Sequence, residues 1–421
     1  MKMRISTITT KNSYLFVFGT WLAIVLIGTI PFLLSGISFT DSFFESAAGF
    51  TTTGCTVLED IESLSAPLQM YRAITHWIGG MGIVLLTAAL FPLLGIGAFQ
   101  LIKAETTGPE KEKITPKVAE TAKILWLIYL ALTAALLLLY KIGGMNWFDA
   151  IFHGLSIMSG GGISDKEDGL SFFQSDFIIN TTTVFMFLTS INFALYFKLV
   201  TGRIKDIGKN SEFKVFICIL LVSTVIVTLS IVPNSANIGD AISKGLFHTA
   251  SFLSTTGVAV SNYEAWPAIA QGVLLFLMLI GGCSGSTAGG IKIVRITTLA
   301  KQAINEIKRI VYPRGFFNVR LNGKPGRKDI IYGTASFCFV YMFILMLLTI
   351  ATSTTGFDPI SSFSASIAVL GNTGLGFGAA GINSLLSDFH APLKWLYALA
   401  MIVGRLELWT FLVLFRREYW E

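Results

Sequence analysis

Long uncharged stretches of apolar residues constrain this chain more than any other feature. Seven such stretches occupy residues 14–35, 124–140, 177–197, 215–232, 268–280, 330–351 and 393–415. Most of them approach the roughly 20 residues that an α-helix needs to cross about 30 Å of hydrocarbon. Charged residues make up only 13% of the chain, whereas an average soluble domain carries about 25%. The sequence therefore predicts an all-α integral membrane protein.

Basic residues are concentrated in three connections, 101–123, 198–214 and 292–328. The stretches between them, 37–70, 142–176 and 234–266, are acidic or nearly neutral. The positive-inside rule places both termini and the three basic connections in the cytoplasm. The net charge of +6 then reflects topology, and nothing indicates a nucleic-acid partner. The first apolar stretch is too long for a signal-peptide core and is expected to remain as a span.

The acidic stretches, and a further segment from Asp358, each contain a short amphipathic helix followed by a glycine-containing run. The four segments align without gaps on Gly54, Gly162, Gly257 and Gly374. A long apolar stretch lies on either side of each, with the one after the first run at about 74–99. Such an internal repeat decides the architecture. It predicts eight spans and four re-entrant pore helices in a pseudo-fourfold arrangement, in units 1–102, 103–206, 207–313 and 314–421.

Two helix starts show capping signals. Ser42 and Glu45 match the S-x-x-E capping box. Asp358 followed by Pro359 matches an N-cap with proline at the first helical position.

The glycine runs carry the chemistry. Irregular backbone at membrane depth is tolerated only where protein buries it or where it lines an aqueous cavity. Four runs around one axis would supply rings of carbonyl oxygens, which can replace the hydration shell of an alkali cation. One such run alone would be interpreted as an ordinary turn. Four matched copies favour a cation pore.

The second span of the third unit is interrupted. An apolar segment, 268–280, is followed by five glycines within 281–290, and apolar residues resume at Ile291. Glycine destabilises a helix by up to about 1 kcal/mol relative to alanine, and broken spans often mark an ion path. The alternative interpretation is a packing face of small residues.

Arg405 lies within the last apolar stretch, where a charge is costly and indicates function. The alternative is a structural ion pair with Glu407 or another carboxylate, although residues so close along a helix point in different directions.

His76, His153 and His248 have no metal-ligand spacing and are expected to pack or to form hydrogen bonds. The four cysteines show no paired spacing and predict neither a disulfide nor a metal site.

Several motifs together resemble the TrkH/KtrB superfamily of bacterial potassium-transport subunits. They are FTTTGCT at 50–56, STTGVA at 254–259, GGCSGSTAGGIKIVR at 281–295 and GRLELW at 404–409. The segments 105–117 and 192–197 are more similar to TrkH than to KtrB. TrkH proteins usually carry an extra pair of spans before the first repeat, and this sequence begins almost directly at that repeat. Dimer contacts made by that extension are therefore not carried over.

The resemblance implies a potassium filter and a gate. The filter residues it implies are Thr52, Thr53, Gly54, Gly160, Gly161, Gly162, Thr255, Thr256, Gly257, Asn372, Thr373 and Gly374. The carbonyls of the following residues, Cys55, Ile163, Val258 and Leu375, are expected to contribute. The gate residues it implies are Gly281, Gly282, Gly285, Ser286, Thr287, Gly289, Gly290 and Arg405. The second run departs from the pattern because it has glycine where the others have threonine or asparagine.

The function implied is uptake of K⁺, with Rb⁺ as its surrogate, down its electrochemical gradient across the bacterial cytoplasmic (inner) membrane. The implied partners are the lipid bilayer, a second copy in a homodimer, and a cytoplasmic TrkA-like nucleotide-binding ring. Residues 111–117 and 308–328 are candidate contacts for that ring. No cofactor is expected.

The main alternative is a sodium-coupled or weakly selective cation transporter. A carrier for an organic solute would usually show inverted repeats, and no hydrolase motif indicates an enzyme.

Overall fold

The computed structural model describes residues 10–85, 118–322, 324–326, 328–381 and 386–421. These residues are helical apart from turns, loops and one antiparallel pair of strands, β1 (Arg320–Leu321) and β2 (Lys324–Pro325). The α-helices are α1 (Thr10–Gly28), α2 (Ile30–Leu34), α3 (Phe39–Phe50), α4 (Ala66–Leu85), α5 (Val118–Ile142), α6 (Trp147–Ser159), α7 (Asp176–Thr189), α8 (Phe193–Val200), α9 (Ile204–Gly208), α10 (Ser211–Ile231), α11 (Ile238–Leu253), α12 (Ala268–Ile280), α13 (Ile293–Val311), α14 (Lys328–Ser353), α15 (Pro359–Leu370), α16 (Ala391–Arg405), α17 (Leu408–Leu412) and α18 (Arg417–Trp420). Short 3₁₀ turns occupy Gly169–Phe173, Val232–Asn234, Tyr263–Ala265, Gly378–Ala380, Leu386–Asp388 and Val413–Phe415.

Four helical segments of the described residues are long and apolar enough to cross a membrane: Tyr14–Leu34, Ala122–Ile142, Ser211–Asn234 and Lys328–Ser353. Two bent pairs raise this number to six if each pair is one span. The second span predicted for the first unit is described only as far as Leu85. Segment 103–117, including the candidate contact at 111–117, lies outside the described residues.

The sequence wrongly predicted unbroken spans at 177–197 and 393–415. Helix α7 meets α8 at an angle of 94°, and α16 meets α17 at 113°. At the first break Asn192 caps α8, since its side chain accepts a hydrogen bond from Ala194 N. At the second break Glu407 has a φ of +60°, which cannot continue a right-handed helix. Interruptions therefore occur in three units, not in the third alone.

Four short buried helices, α3, α6, α11 and α15, begin at well-formed N-caps. Their capping side chains are Ser38, Asn146, Asn237 and Asp358, and each accepts a hydrogen bond from a backbone N–H of the first turn. The Asp358 cap is confirmed, whereas the Ser42–Glu45 capping box is wrong. Helix α3 begins three residues before Ser42, and Glu45 accepts instead from Thr56 Oγ1 at 2.6 Å and Val57 N at 2.9 Å.

Contacts between helices link the four predicted units in chain order and link the fourth back to the first. Helix α4 of the first unit packs against α6 of the second, and α7 of the second packs against α11 of the third. In the same way α12 packs against α15, and α16 returns to α3. Each short helix also contacts the long helices of its own unit. The four short helices are therefore buried between longer helices, with their carboxyl ends at the glycine runs.

Candidate ion pathway

All four runs leave their helices through the same pair of hydrogen bonds. In the first unit, Thr52 N donates to Gly49 O and Thr53 N donates to Ala48 O, both at 2.9 Å. The matching pairs are Gly160 to Ile157 with Gly161 to Ser156, Thr255 to Phe252 with Thr256 to Ser251, and Asn372 to Val369 with Thr373 to Ala368. This pattern is a helix C-cap whose first residue beyond the helix is left-handed, a place usually held by glycine. All four runs therefore begin with the same backbone geometry.

The backbone alternates in hand along each run. The first positions, Thr52, Gly160, Thr255 and Asn372, have φ values of +54°, +75°, +54° and +54°. The third positions, Gly54, Gly162, Gly257 and Gly374, have φ values of +84°, +63°, +70° and +74°. The second positions are not left-handed. A left-handed threonine is rare and strained, so the first and third units hold their first position against a local backbone preference.

The third-position glycines close the four runs into a ring. A Cβ atom built on Gly54 would lie 1.9 Å from the carbonyl oxygen of Gly161 in the second unit. A Cβ atom built in the same way would lie 1.7 Å from Thr256 O on Gly162, 1.9 Å from Thr373 O on Gly257, and 2.0 Å from Thr53 O on Gly374. Each run therefore contacts the next in the order one, two, three, four and back to one. Only glycine leaves room for this approach.

The carbonyl oxygens of the twelve residues in the runs accept no hydrogen bond from any group in the described part of the chain. The eight residues at the first and second positions are buried, whereas the third-position glycines are partly exposed. Buried carbonyls are almost always paired, so the unpaired ones at the eight buried positions are available to a cation.

The fourth positions differ from the expectation. Ile163 O accepts from Ser156 Oγ at 2.8 Å, and Val258 O accepts from Ser251 Oγ at 2.6 Å. In the second and third units these carbonyls are directed toward the short helix, so the geometry does not favour them as ligands.

The glycine-rich loop of the third unit, residues 281–290, lies against the inner ends of three runs. Gly289 N donates to Thr255 Oγ1 at 2.6 Å, and Gly290 N donates to Gly371 O at 3.0 Å. A Cβ built on Gly160 would lie 3.3 Å from Thr287 Oγ1. The loop therefore contacts the second, third and fourth units at the first position of each run or beside it.

Bonds within the loop and to the first residue of α8 hold further residues of the loop. Ser286 Oγ donates to Cys283 O at 2.6 Å, and Gly285 O accepts from Phe193 N at 3.0 Å. Gly281, with a φ of +73°, and Gly282 turn the chain out of α12. The structure thus brings together every residue predicted for the gate.

Arg405 reaches this loop from the carboxyl end of α16. Its Nη1 donates to Thr287 O at 2.7 Å. Glu407 instead pairs with Arg295, at 2.5 Å between Oε2 and Nη2. The alternative of an Arg405–Glu407 ion pair is therefore wrong, and Arg405 forms no ion pair with any described residue.

A cavity beside the loop carries three basic side chains and one acidic one. It is lined by Gly289, Asn372 and Gly404, by Lys292, Arg295 and Arg405, and by Glu407, which pairs with Arg295. The guanidinium of Arg295 also lies 3.8 Å from the ring centroid of Phe337. A cation that passed the ring of runs would therefore meet the loop and then fixed positive charge.

Sequence reasoning did not place Glu212, Glu45 or His153 beside the loop or the ends of the runs. Glu212, at the start of α10, accepts from Ser284 N at 2.6 Å. Glu45 contacts Arg72 at 3.2 Å besides Thr56 and Val57. His153 contacts Asp165 at 2.9 Å. Burial alone would raise the pKa of Asp165, but the adjacent His153 ring and the Lys166 ammonium group together lower it below its ordinary value.

A positional signal could have found part of this set. Glu45, His153 and His248 each lie nine residues before the third-position glycine of their unit. Among the described residues no group of three or more His, Cys, Asp or Glu side chains could hold a metal ion. All four cysteines are free.

Known proteins resemble this chain over its full length. The sequence profile of the TrkH family, described as cation transport protein, matches residues 2–421. The Trk system potassium uptake protein TrkH of Vibrio parahaemolyticus is 36% identical over 98% of this chain and 86% of its own length. TrkH and TrkG of Escherichia coli K12 are 36% and 33% identical over the same shares. The crystal structure of the potassium transporter TrkH from Vibrio parahaemolyticus superposes with a TM-score of 0.89 at 34% identity, covering 100% of this chain and 87% of that one.

Proposed function

The chain belongs to the TrkH family of cation transport proteins, and we propose that it takes up K⁺ through the ring formed by its four glycine runs. The observation that carries this proposal is the ring of carbonyls without hydrogen-bond donors. A K⁺ ion that enters the ring exchanges its water ligands for these oxygens. The short helices add the partially negative ends of their dipoles, which favour a cation beside the first positions.

The twelve residues of the runs act as the selectivity filter in this proposal. Their alternating backbone needs glycine at the third position of each run, and the neighbouring unit occupies the space that a Cβ would take there. The filter geometry is therefore set by contacts between units as well as within them. A side chain at any third position would force two runs apart.

The loop at 281–290 acts as the gate. It lies against three of the four runs and is linked to Arg405 through Thr287 O. A buried guanidinium beside the path repels a cation, so the loop obstructs the pathway by its backbone and by the charge that it positions. Opening requires the loop to leave the inner ends of the runs.

Ion movement follows the electrochemical gradient. The membrane potential contributes about 2.3 kcal/mol per charge per 100 mV, so inward movement needs no chemical step in this chain. The proposed setting is the bacterial inner membrane, with eight spans in the four predicted units and both termini in the cytoplasm. A homodimer and a TrkA-like nucleotide-binding ring complete the proposal, with the described part of 308–328 as a candidate contact for that ring.

A weakly selective or sodium-coupled transporter is the competing proposal. The glycine-only second run supports it, because three consecutive glycines have no side chains of their own to hold their carbonyls in place. Selectivity then depends on what surrounds that run.

Flux into proteoliposomes, measured separately with K⁺, Rb⁺, Na⁺ and Li⁺, distinguishes the two proposals. We expect similar rates for K⁺ and Rb⁺ that are well above those for Na⁺ and Li⁺. Equal rates for K⁺ and Na⁺, or K⁺ uptake that requires Na⁺, would replace the first proposal with the second. Liposomes without protein give the background flux, and liposomes whose ion gradient is collapsed by an ionophore give the signal at equilibrium.

A further inference from the structure

The second position of each run is occupied differently in the second unit. Thr53, Thr256 and Thr373 fill this position in the other units, and all three are at most 1% exposed. The second unit has Gly161 instead. The φ of Gly161 is not left-handed, so its backbone conformation does not require glycine. Something other than backbone geometry excludes a side chain there.

The ring of His76 occupies the space that a side chain at Gly161 would need. A Cβ built on Gly161 would lie 1.9 Å from His76 Nδ1 and 2.9 Å from both Cε1 and Cγ. His76 belongs to α4 of the first unit, which packs against α6 just before the second run. It is 2% exposed. The neighbouring unit thus supplies a ring where the second run has no side chain.

Within the described part of the chain, no hydrogen bond at Nδ1 explains the position of the imidazole. His76 Nδ1 is buried and has no partner among the described residues, which is an uncommon and costly state for a polar atom. A phenyl or aliphatic group would fill an ordinary packing site without that cost. The position beside the run is therefore the informative feature of this residue.

We propose that His76 is a positioning residue for the filter and replaces, from the first unit, the side chain that the second run lacks. The inference rests on the proposed function and extends it to the source of selectivity. Gly160, Gly161 and Gly162 have more backbone freedom than any other three residues could have. Contact with the imidazole ring restricts that freedom and keeps their carbonyls in the ring formed with the other three runs.

Two single variants and their combination test this proposal. His76→Ala removes the ring, Gly161→Thr introduces the side chain of the other units, and the double variant does both. We expect each single variant to lower the K⁺/Na⁺ flux ratio about tenfold, which corresponds to ~1.4 kcal/mol. The first loses the support and the second creates a collision. The double variant should recover most of the ratio, because the threonine takes the space that the ring leaves.

The flux ratio is measured within one preparation, so a smaller folded fraction does not change it. Trp77→Phe is the matched control, since Trp77 is the next residue on α4 but contacts Thr133 and Trp126 of α5. It should keep the wild-type ratio. A double variant no better than the worse single variant, or a normal ratio in His76→Ala, would overturn the inference. If the wild type itself does not discriminate K⁺ from Na⁺, the proposed function fails instead.

Discussion

Arg405 Nη1 donates a 2.7 Å hydrogen bond to the carbonyl oxygen of Thr287, which joins the last long helix of the chain to a loop more than a hundred residues earlier. The donor belongs to the fourth unit and the acceptor to the third. Arg405 is 4% exposed, and its Nε and Nη2 have no partner among the described residues. This single bond is therefore the direct link between a fixed buried charge and the proposed gate.

Replacement of Arg405 should open the pathway. In Arg405→Ala the barrier charge and the bond to Thr287 are both lost, so K⁺ flux should rise by about tenfold, the factor expected for roughly 1.4 kcal/mol off a barrier. Arg405→Lys keeps the charge but lacks the planar fork that reaches the carbonyl, and it should give an intermediate flux. Proteoliposome uptake of Rb⁺ measures both variants.

Arg417→Ala is the control for these variants, because the side chain of Arg417 is 92% exposed. Its flux should equal that of the wild type. Lower flux in Arg405→Ala, in protein that elutes as a single folded species, would contradict the barrier role.

Glu212 should hold the part of the gate loop around Ser284 in place. Its Oε1 accepts from Ser284 N at 2.6 Å, and the neighbouring Ser211 exchanges hydrogen bonds with Asn322 between β1 and β2. Glu212→Ala leaves a buried N–H unpaired, which costs about 1–3 kcal/mol. We expect higher basal flux, while Glu212→Gln keeps an acceptor and should lie near the wild type. Equal flux in the alanine and glutamine variants would argue against this anchoring.

The third-position glycines should determine selectivity. Gly54→Ser and Gly374→Ser each place a Cβ about 2 Å from a carbonyl oxygen of the next unit, and both residues are left-handed. The K⁺/Na⁺ flux ratio should fall by about tenfold or more. Separation of the runs moves their carbonyl oxygens apart and weakens the coordination of dehydrated K⁺. Gly272→Ser on α12, where a Cβ would meet nothing within 4 Å, should be unchanged. A normal ratio in both filter variants would remove the filter assignment.

Ser251 should stabilise the outer end of the third run. Its hydroxyl donates to Val258 O at 2.6 Å and accepts from Val258 N at 2.8 Å. Units one and four have alanine at the matching positions, Ala48 and Ala368. Ser251→Ala leaves two buried groups unpaired, which costs about 1–3 kcal/mol for each, and should lower both the thermal midpoint and the flux ratio. A lower midpoint with a normal ratio would limit this serine to a structural role.

Much of the fold was accessible from sequence because hydrophobic length and glycine are strong local signals. The apolar stretches around α1, α5, α10 and α14 predicted membrane-spanning helices, and the aligned glycines predicted which four segments would come together. The breaks after α7 and α16 were missed, since apolar residues continue through both. They are set by a single cap at Asn192 and a single left-handed residue, Glu407.

Contacts between units could not be predicted because they depend on distances in three dimensions. Glu45 matched a local capping motif in sequence, yet it binds the outer end of the first run and Arg72. His76 gave no signal that it would lie beside a run of another unit. The roles of the filter and gate residues remain predictions that rest on the geometry of the runs and of the loop.

Binding of an ion within the ring tests the central proposal most directly. Crystals of the protein grown in Rb⁺ should show anomalous scattering centred among the carbonyl oxygens of the four runs, at distances suited to coordination. Gly257→Ser crystals should lose or displace that signal. Wild-type crystals with no Rb⁺ in the ring, or with Rb⁺ bound only elsewhere, would contradict the assignment of these runs as the path for K⁺.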